Sequence, residues 1–443
     1  MLNIRLSTLS ALTILALAGC DDSTLAVPEI LEPTKADSTA SFMVASDLHY
    51  FSPGLLGDTA LASFKAYLQN DRKMIAQSPA LLHSFLDSVR KHMPKMVLLT
   101  GDLTKDGEKQ SHQELADSLA TLRKLGIQVY VIPGNHDVAN PESQAYTSTG
   151  ATYAPNVSSA EFAAIYKDCG FDQAVARDAV SLSYVAEPVP GVWLFAMDPT
   201  RWKDNVAGGK ETVGGRFLPQ TMDWLETQLD LAKAQGKVPV GAMHHGILEH
   251  FTGQAKDSLS ADYVLAGFDT VGAFFAEKGM RVVFTGHFHA NDIATKVFSS
   301  GSLTDIETGS LVTSPSPFRV GSLSANGSLS VRTSKIGGIS GVTDFSAWSS
   351  RFLLEGMSQL IEPVLLAKGV PATYAPLIAG VGAKAYVAHY AGDESGVPSD
   401  SLTQSVIRTL AGFGPAGVGL TASITTLSTD LGPADSAGVF TLR

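Results

Sequence analysis

Five short blocks of this chain carry side chains able to bind metals, and each block directly follows an apolar run. Val44-Ala45-Ser46 leads into Asp47-Leu48-His49, Leu98-Leu99-Thr100 into Gly101-Asp102, and Val131-Ile132-Pro133 into Gly134-Asn135-His136-Asp137. Val240-Gly241-Ala242-Met243 leads into His244-His245, and Val283-Phe284-Thr285 into Gly286-His287-Phe288-His289. Asp47, Asp102, Asn135, His49, His244, His287 and His289 form a mixed oxygen and nitrogen donor set. Such a set suits Zn, Mn, Fe or Co better than Ca or Mg. In Asp47-x-His49 and His287-x-His289 the spacing of two puts both side chains on one side of an extended segment, where they share one metal or reach two adjacent ones. Residue types alone do not specify two metals. Seven donors nevertheless exceed what one ion that keeps a position open can use, which argues for a pair. The glycines at 101, 134 and 286 allow tight turns and close approach of backbone to phosphate oxygens.

Distant blocks must be brought together by the elements that carry them. Short apolar runs rich in β-branched residues predict strands at 42–45, 96–99, 129–132, 192–197, 238–243 and 280–284. Helical periodicity at 81–92 places Leu82, Phe85, Leu86 and Val89 on one face, and 113–125 repeats the pattern before Gly126. Pro219 opens a third helix. This alternation indicates an α/β domain with largely parallel pairing, its continuous apolar strands covered on both faces. Ligands in open α/β sheets collect beyond the carboxyl ends of strands, so five such ends carrying Asp, Asn and His converge in one cleft. Residues 290–333 read as a β-meander or added edge strands, and 352–366 and 377–389 as helices, while 391–443 is the least readable stretch.

The ordered set Asp47-x-His49, Gly101-Asp102, Gly134-Asn135-His136-Asp137, His244 and Gly286-His287-x-His289 resembles the calcineurin-like metallophosphoesterase superfamily over roughly residues 41–290. The stretch Gly101-Asp102-Leu103-Thr104-x-x-Gly107 and the pair His244-His245 look closest to the branch containing bacterial cyclic-nucleotide phosphodiesterases. The resemblance implies a two-sheet α/β/β/α sandwich, here with an additional, partly helical C-terminal region. It also implies two divalent or transition metal ions: Asp47, His49 and His289 on the first, Asn135, His244 and His287 on the second, and Asp102 bridging both. His136 then stands outside the metal shells as the group that protonates or stabilises the leaving oxygen. Asn135 orients the phosphate, His245 is a possible substrate contact, and Asp137 at most supports a ligand. The implied reaction is in-line attack on phosphorus by a hydroxide bridging the metals. A small phosphodiester is the expected substrate; a phosphomonoesterase or nuclease on the same site, or a non-catalytic metal-binding surface lipoprotein, are the alternatives.

Of 443 residues, 44% are hydrophobic and 17% charged, which suits a folded core, and the formal charge of −11 opposes stable nucleic-acid binding. Arg5 followed by the apolar run Leu9 to Leu17 is too short to span a membrane and has the layout of a secretory signal. Its ending, Leu17-Ala18-Gly19-Cys20, resembles a bacterial lipobox, which implies cleavage before Cys20 and lipidation of its thiol. The expected organisation is a signal peptide at 1–19, a polar tether at 20–40, a metallophosphoesterase domain at 41–335 and a C-terminal helical region at 336–443. The protein is expected on a membrane of the bacterial cell envelope, facing the periplasm or the exterior. Cys169 reads as a small core residue. His83, His92, His112, His250 and His389 are given no role, and Asp58, Asp71, Asp106 and Asp117 are read as solvated charges or helix caps.

Overall fold

The structure, a computed structural model, describes residues 39–57, 62–69, 71–148, 150–257 and 259–443. The expected signal segment, Cys20 and most of the tether lie outside these residues. Among the described residues no helix is long and apolar enough to cross a membrane.

The chain opens with β1 (Thr39–Ala45), α1 (Ala62–Gln69), α2 (Ser78–His92), β2 (Met96–Leu99), α3 (Lys109–Arg123) and β3 (Gln128–Val131). A hairpin follows, β4 (Gln144–Thr147) and β5 (Gly150–Tyr153), then α4 (Ser159–Ile165) and the strands β6 (Ala174–Arg177), β7 (Tyr184–Val189) and β8 (Val192–Ala196). Next come α5 (Pro219–Ala234), β9 (Val238–Ala242), α6 (Phe268–Glu277), β10 (Val282–Thr285), β11 (Ile293–Phe298), β12 (Gly301–Glu307), β13 (Pro317–Ser324) and β14 (Ser328–Lys335). The chain ends in α7 (Phe345–Ala367), α8 (Ala375–Ala391), α9 (Ser401–Ala411), α10 (Gly414–Leu427) and β15 (Ala437–Thr441).

These strands form two large mixed sheets, ordered β15-β14-β13-β1-β2-β3 and β11-β12-β10-β9-β8-β7-β6. Strands β1-β2-β3, which run to one edge of the first sheet, and β8-β9-β10-β12 in the second are parallel. Antiparallel strands extend the first sheet beyond β1 and the second on both sides. The expectation of largely parallel pairing therefore holds for these runs and fails where the antiparallel strands are added. Hairpin-connected strands can extend a sheet without a crossover helix, and an antiparallel edge on a parallel sheet is a common outcome. The stretch at 290–333 divides between the sheets: β11 and β12 go to one, β13 and β14 to the other.

The sheets face each other through a dry interior in which Phe42 of β1 meets Phe284 of β10 edge-on at 5.5 Å. Helix α2 covers the outer side of the first sheet because Leu81, Leu82, Phe85, Leu86 and Val89 recur at helical spacing and are all buried. On the second sheet α5 does the same with Leu225, Leu229 and Ala232. The result is the expected α/β/β/α sandwich. The continuous apolar runs that made β1, β2 and β10 legible also bury these strands, and the ligand blocks follow at their carboxyl ends.

The C-terminal helices have an apolar core of their own, built from Leu353, Met357, Ile361, Leu365, Ile378 and others, and it includes Phe251, Phe288 and Ala290 from the loops around the histidine blocks. Phe288 points into this second core, 5.8 Å from Tyr390 and 6.3 Å from Tyr386 of α8. The chain then returns, and β15 pairs antiparallel with β14 at the edge of the first sheet. Phe288 is thus the wedge between the C-terminal helices and the two histidines that flank it. Phe288→Ala is expected to cost roughly 3–5 kcal/mol of stability, the usual loss for emptying a buried aromatic position. Chemical denaturation would measure it, and a cost below ~1 kcal/mol would show that the two cores are not coupled through this ring.

Candidate metal centre

The five blocks meet at the carboxyl ends of β1, β2, β3, β9 and β10. The loops after β1 and β2 run side by side, with the Asp47 and His49 amides donating to the carbonyls of Gly101 (3.0 Å) and Asp102 (2.9 Å). Asp137 ties the third loop to the second. Its carboxylate accepts from the amides of Gly134 (2.8 Å), Leu103 (3.0 Å) and Thr104 (3.0 Å). It therefore supports the site without entering it.

Asp47, His49, Asp102, His287 and His289 all sit at positive φ, between 39° and 77°. Non-glycine residues rarely adopt this region, and holding one there costs on the order of 1–3 kcal/mol. Concentrated at one end of the sandwich, these five mark where the fold has been bent to serve a site. They also change the reading of the i, i+2 spacing. His287 and His289 do converge on one side, with Phe288 directed away, but through left-handed turns and not along an extended strand.

The glycines serve packing within the site. Gly101 has φ 95°, and a Cβ there would lie 2.6 Å from His244 Nδ1. At Gly134 a Cβ would lie 2.1 Å from Asp102 Oδ1, and at Gly286 1.8 Å from Ser46 Oγ. Room for the ligands themselves is what these positions supply, where close approach to phosphate had been the expectation.

Around this cradle the imidazoles gather on two carboxylates. His289 Nε2 lies 3.4 Å and His49 Nε2 3.9 Å from Asp47 Oδ1, and the two ring nitrogens are 3.3 Å apart. His244 Nε2 lies 3.2 Å and His49 Nε2 3.7 Å from Asp102 Oδ2. His287 packs on His244 with ring centroids 4.6 Å apart. Two of the ligand groupings match the expected sets, Asp47/His49/His289 and Asp102/His244/His287, and a third joins His49 and Asp102 with His136. All of these residues except His136 are buried.

The remaining nitrogen of three of these imidazoles is committed to a neutral acceptor. His244 Nδ1 donates to the Thr100 carbonyl (2.8 Å), His287 Nε2 to the Asp262 carbonyl (3.3 Å), and His289 Nδ1 pairs with the Thr313 hydroxyl (3.0 Å). Such partners fix the tautomer and aim the other lone pair inward. Burial holds His49 and His287 well below the usual imidazole range and also lowers His289. For His244 burial works in the same direction, but the Asp102 and Asp47 carboxylates outweigh it and raise the group to about 9. Burial would raise Asp47 and Asp102, yet the imidazoles, with His289 and His244 foremost, keep both carboxyls low.

Neutral imidazoles and ionised carboxylates are the states that bind metals. Asp47 Oδ1, Asn135 Oδ1 and His244 Nε2 are buried without a hydrogen-bond partner. Unpartnered donors of this kind, of these types, fit two divalent metal ions.

His136 differs. Its amide donates to Asp102 Oδ1 (3.0 Å), while its ring Nδ1 faces Asp106 Oδ1 (2.9 Å) and Glu211 Oε2 (3.2 Å). Burial would lower it, but Glu211, Asp102 and Asp106 outweigh burial and raise it to about 10. Its side chain is 15% exposed, more than the ligands. Asp106 had been read as a solvated charge; it is buried and bonded to His136, because the turn at Gly107 folds the loop back over the site. Glu211 has no sequence signal, since it reaches His136 from a long loop between β8 and α5.

His245 is fully buried, its Nε2 donating to the Val213 carbonyl (2.8 Å) and its ring 4.2 Å from that of His287. Arg72, hydrogen-bonded to Tyr263 and Tyr390, was not anticipated either. Cys169 is a free, buried thiol that burial pushes up to about 12, as a core residue should be.

Residues 40–291, more than half the chain, match the Calcineurin-like phosphoesterase family, and the chain belongs to it. By that membership it is a metal-dependent phosphoric ester hydrolase, and the family implies a dinuclear metal centre. Similar solved structures include a dimetal phosphatase from Danio rerio, at 16% identity and TM-score 0.45 over 68% of this chain and 97% of that one. A purple acid phosphatase from yellow lupin (Lupinus luteus) seeds shows 10% identity and TM-score 0.42 over 70% and 53%. GAP50 of Plasmodium, the anchor in its inner membrane complex, shows 11% and 0.36 over 69% and 87%. No curated protein matches the sequence.

Gly134→Ala is expected to push Asp102 out of place and lower the metal content below that of the wild type, with the fold retained. Elemental analysis alongside circular dichroism measures this. Full metal occupancy in the variant would show that Asp102 is not the shared ligand.

Proposed function

We propose that this protein is a phosphodiesterase acting on small diesters, in which His136 donates the proton to the leaving oxygen. The observation that carries the reading is His136 between Asp106 and Glu211, at the one part of the site with appreciable exposure. An imidazolium there is a proton donor for an alkoxide leaving group. The two carboxylates beside it disfavour a dianionic monoester more than a diester, which carries a single negative charge. The formal charge of −11 supports a small substrate over a nucleic-acid duplex.

When bound, the metal pair supplies Lewis acidity at the phosphoryl oxygens and an activated water. The chain supplies the rest. Asp102 and Asp47 hold charge in a dry interior, and Thr100, Asp262 and Thr313 fix the imidazoles. Asn135 orients the phosphate, His245 stands beside His287 as a substrate contact, and His136 moves the proton. The likeness of the Gly101–Gly107 stretch and the His244-His245 pair to bacterial cyclic-nucleotide phosphodiesterases supports the same substrate class. On this reading the protein is also tethered to an envelope membrane through lipid on Cys20, which the run Leu9 to Leu17 and the ending Leu17-Ala18-Gly19-Cys20 support.

His136→Ala is expected to lower kcat on a chromogenic diester by roughly 10²–10⁴-fold, the usual contribution of a general acid, with both metals retained. The wild type should turn over that diester faster than the matching monoester. Unchanged turnover in the variant would remove the assigned role, and a preference for the monoester would favour the phosphatase alternative. Cys20→Ala is expected to move the protein from the membrane fraction to the soluble fraction of cells; membrane retention would contradict the lipid anchor.

A further inference from the structure

Behind the metal centre lies a second group of buried ionisable side chains. It includes Asp292, Asp305 and Glu307, with Asp435 from the C-terminal segment, and the bases His250 and Arg319. Most of these charges are accounted for. Asp305 accepts from the amides of Ile247 (2.7 Å) and Leu248 (3.1 Å) and from the Thr285 hydroxyl (2.5 Å). Glu307 accepts from the Ala290 amide (3.1 Å) and Asp435 from the Ile293 amide (2.8 Å). His250 Nδ1 lies 2.7 Å from Asp292 Oδ1. Arg319 spends its donors on the carbonyls of Asp292 (3.2 Å), Glu307 (2.6 Å) and Asp435 and on the Thr333 hydroxyl (2.5 Å). It gives none of them to a carboxylate.

Two oxygens are left over. Asp292 Oδ2 and Glu394 Oε2 are buried with no hydrogen-bond partner, on side chains only 1% and 0% exposed. Both side chains converge on His389 of α8, whose Nδ1 is 3.7 Å from Asp292 Oδ2 and hydrogen-bonded to Glu394 Oε1 through a proton that a cation binding there would displace. Asp292, His389 and Glu394 place one ligand atom each within 4.8 Å of the others, a spacing shared by Asp47/His49/His289 and Asp102/His244/His287 but also by Asp106/His136/Glu211, so the unpartnered oxygens are what single this group out. Unpartnered buried oxygens beside an imidazole are thus the signature of the dinuclear centre, repeated at a second place.

We propose that Asp292, His389 and Glu394 form a third cation site, for a first-row divalent transition metal, that fastens α8 to the loop after His289. Two carboxylates and one imidazole are the donor chemistry of such ions, which take water or a second carboxylate oxygen for the remaining positions. The competing account is a protonated His389 bridging the two acids. His389 Nε2 has no hydrogen-bond partner and lies among the rings of Phe251 and Phe288, with centroids 5.6 and 5.5 Å from its own. An imidazolium would leave a charged donor unpaired against those rings. A neutral ligand leaves only a neutral N–H there, at lower cost.

Metal counting tests this on the full chain, expressed with Mn or Zn and freed of loose ions by desalting. Three ions per chain are expected in the wild type and two in E394Q, which preserves the shape of the side chain. Two ions in both the wild type and E394Q would overturn the third site while leaving the dinuclear centre intact. Three ions in both proteins would overturn it as well. One ion in the wild type, lost in E394Q, would keep this site and sink the dinuclear reading instead. Should E394Q fail to fold, H389A serves as the second variant, and loss of one ion relative to the wild type is the result that supports the site.

Discussion

Asp47 and Asp102 are two carboxylates removed from water and kept ionised, and the arrangement around them answers that one cost. Taking a carboxylate into a protein interior costs several kcal/mol after relaxation unless it is compensated. Asp47 recovers part through the Ser46 hydroxyl (2.5 Å) and the His287 amide (3.0 Å), and Asp102 through the His136 amide. The remaining oxygens face imidazoles, of which burial holds His49 and His287 well down while His244 is raised and offsets part of the charge. Cations are what such a cavity is built to receive. The left-handed turns at Asp47, His49, Asp102, His287 and His289 are tolerated because burial and the lacing of the loops leave them no other conformation.

The C-terminal helices belong to the same problem. Phe288 sits between two ligands and would expose an aromatic face if α7 and α8 were absent; they bury it instead, and Tyr390 approaches within 6.2 Å of the His289 ring. Arg72, in the segment between α1 and α2, reaches Tyr263 and Tyr390 together. Elements far apart in sequence therefore share one wall of the cleft. A shift of α8 would be felt at His289 through side chains already in contact, which gives the region after residue 336 a physical link to the chemistry.

Much of this was legible in the residues. Strands at 42–45, 96–99 and 238–243 could be read because their apolar runs are continuous, as burial on both faces demands. The ligand blocks could be read because each follows such a run. Left-handed backbone at Asp47 or His289 could not, since nothing in an Asp or a His announces φ > 0; it is imposed by neighbouring loops. Glu211, Arg72 and the buried state of Asp106 were hidden for a related reason. A charged residue in a loop looks solvated until the loop's path is known. After residue 391, α10 escaped because its Gly-, Thr- and Ala-rich sequence shows little amphipathic pattern, and β15 is defined by its partner β14 more than by its own sequence.

The histidines of the site show how one side chain is given two jobs by its second nitrogen. In His244, His287 and His289 that nitrogen meets a carbonyl or a hydroxyl, a neutral acceptor that orients the ring without stabilising a positive charge strongly. In His136 it meets the carboxylates of Asp106 and Glu211, which stabilise the imidazolium. All four rings lie within one small cluster, so burial alone cannot separate them. The difference is carried by the partner behind each ring. On the proposed reading this suits His287 and His289 to lone-pair donation and His136 to acid work, while the other nitrogen of His244 faces Asp102, which raises that ring. On the proposed function, the adjacent residues Asn135 and His136 serve opposite ends of the same reaction, one orienting the phosphate and the other meeting the oxygen that leaves.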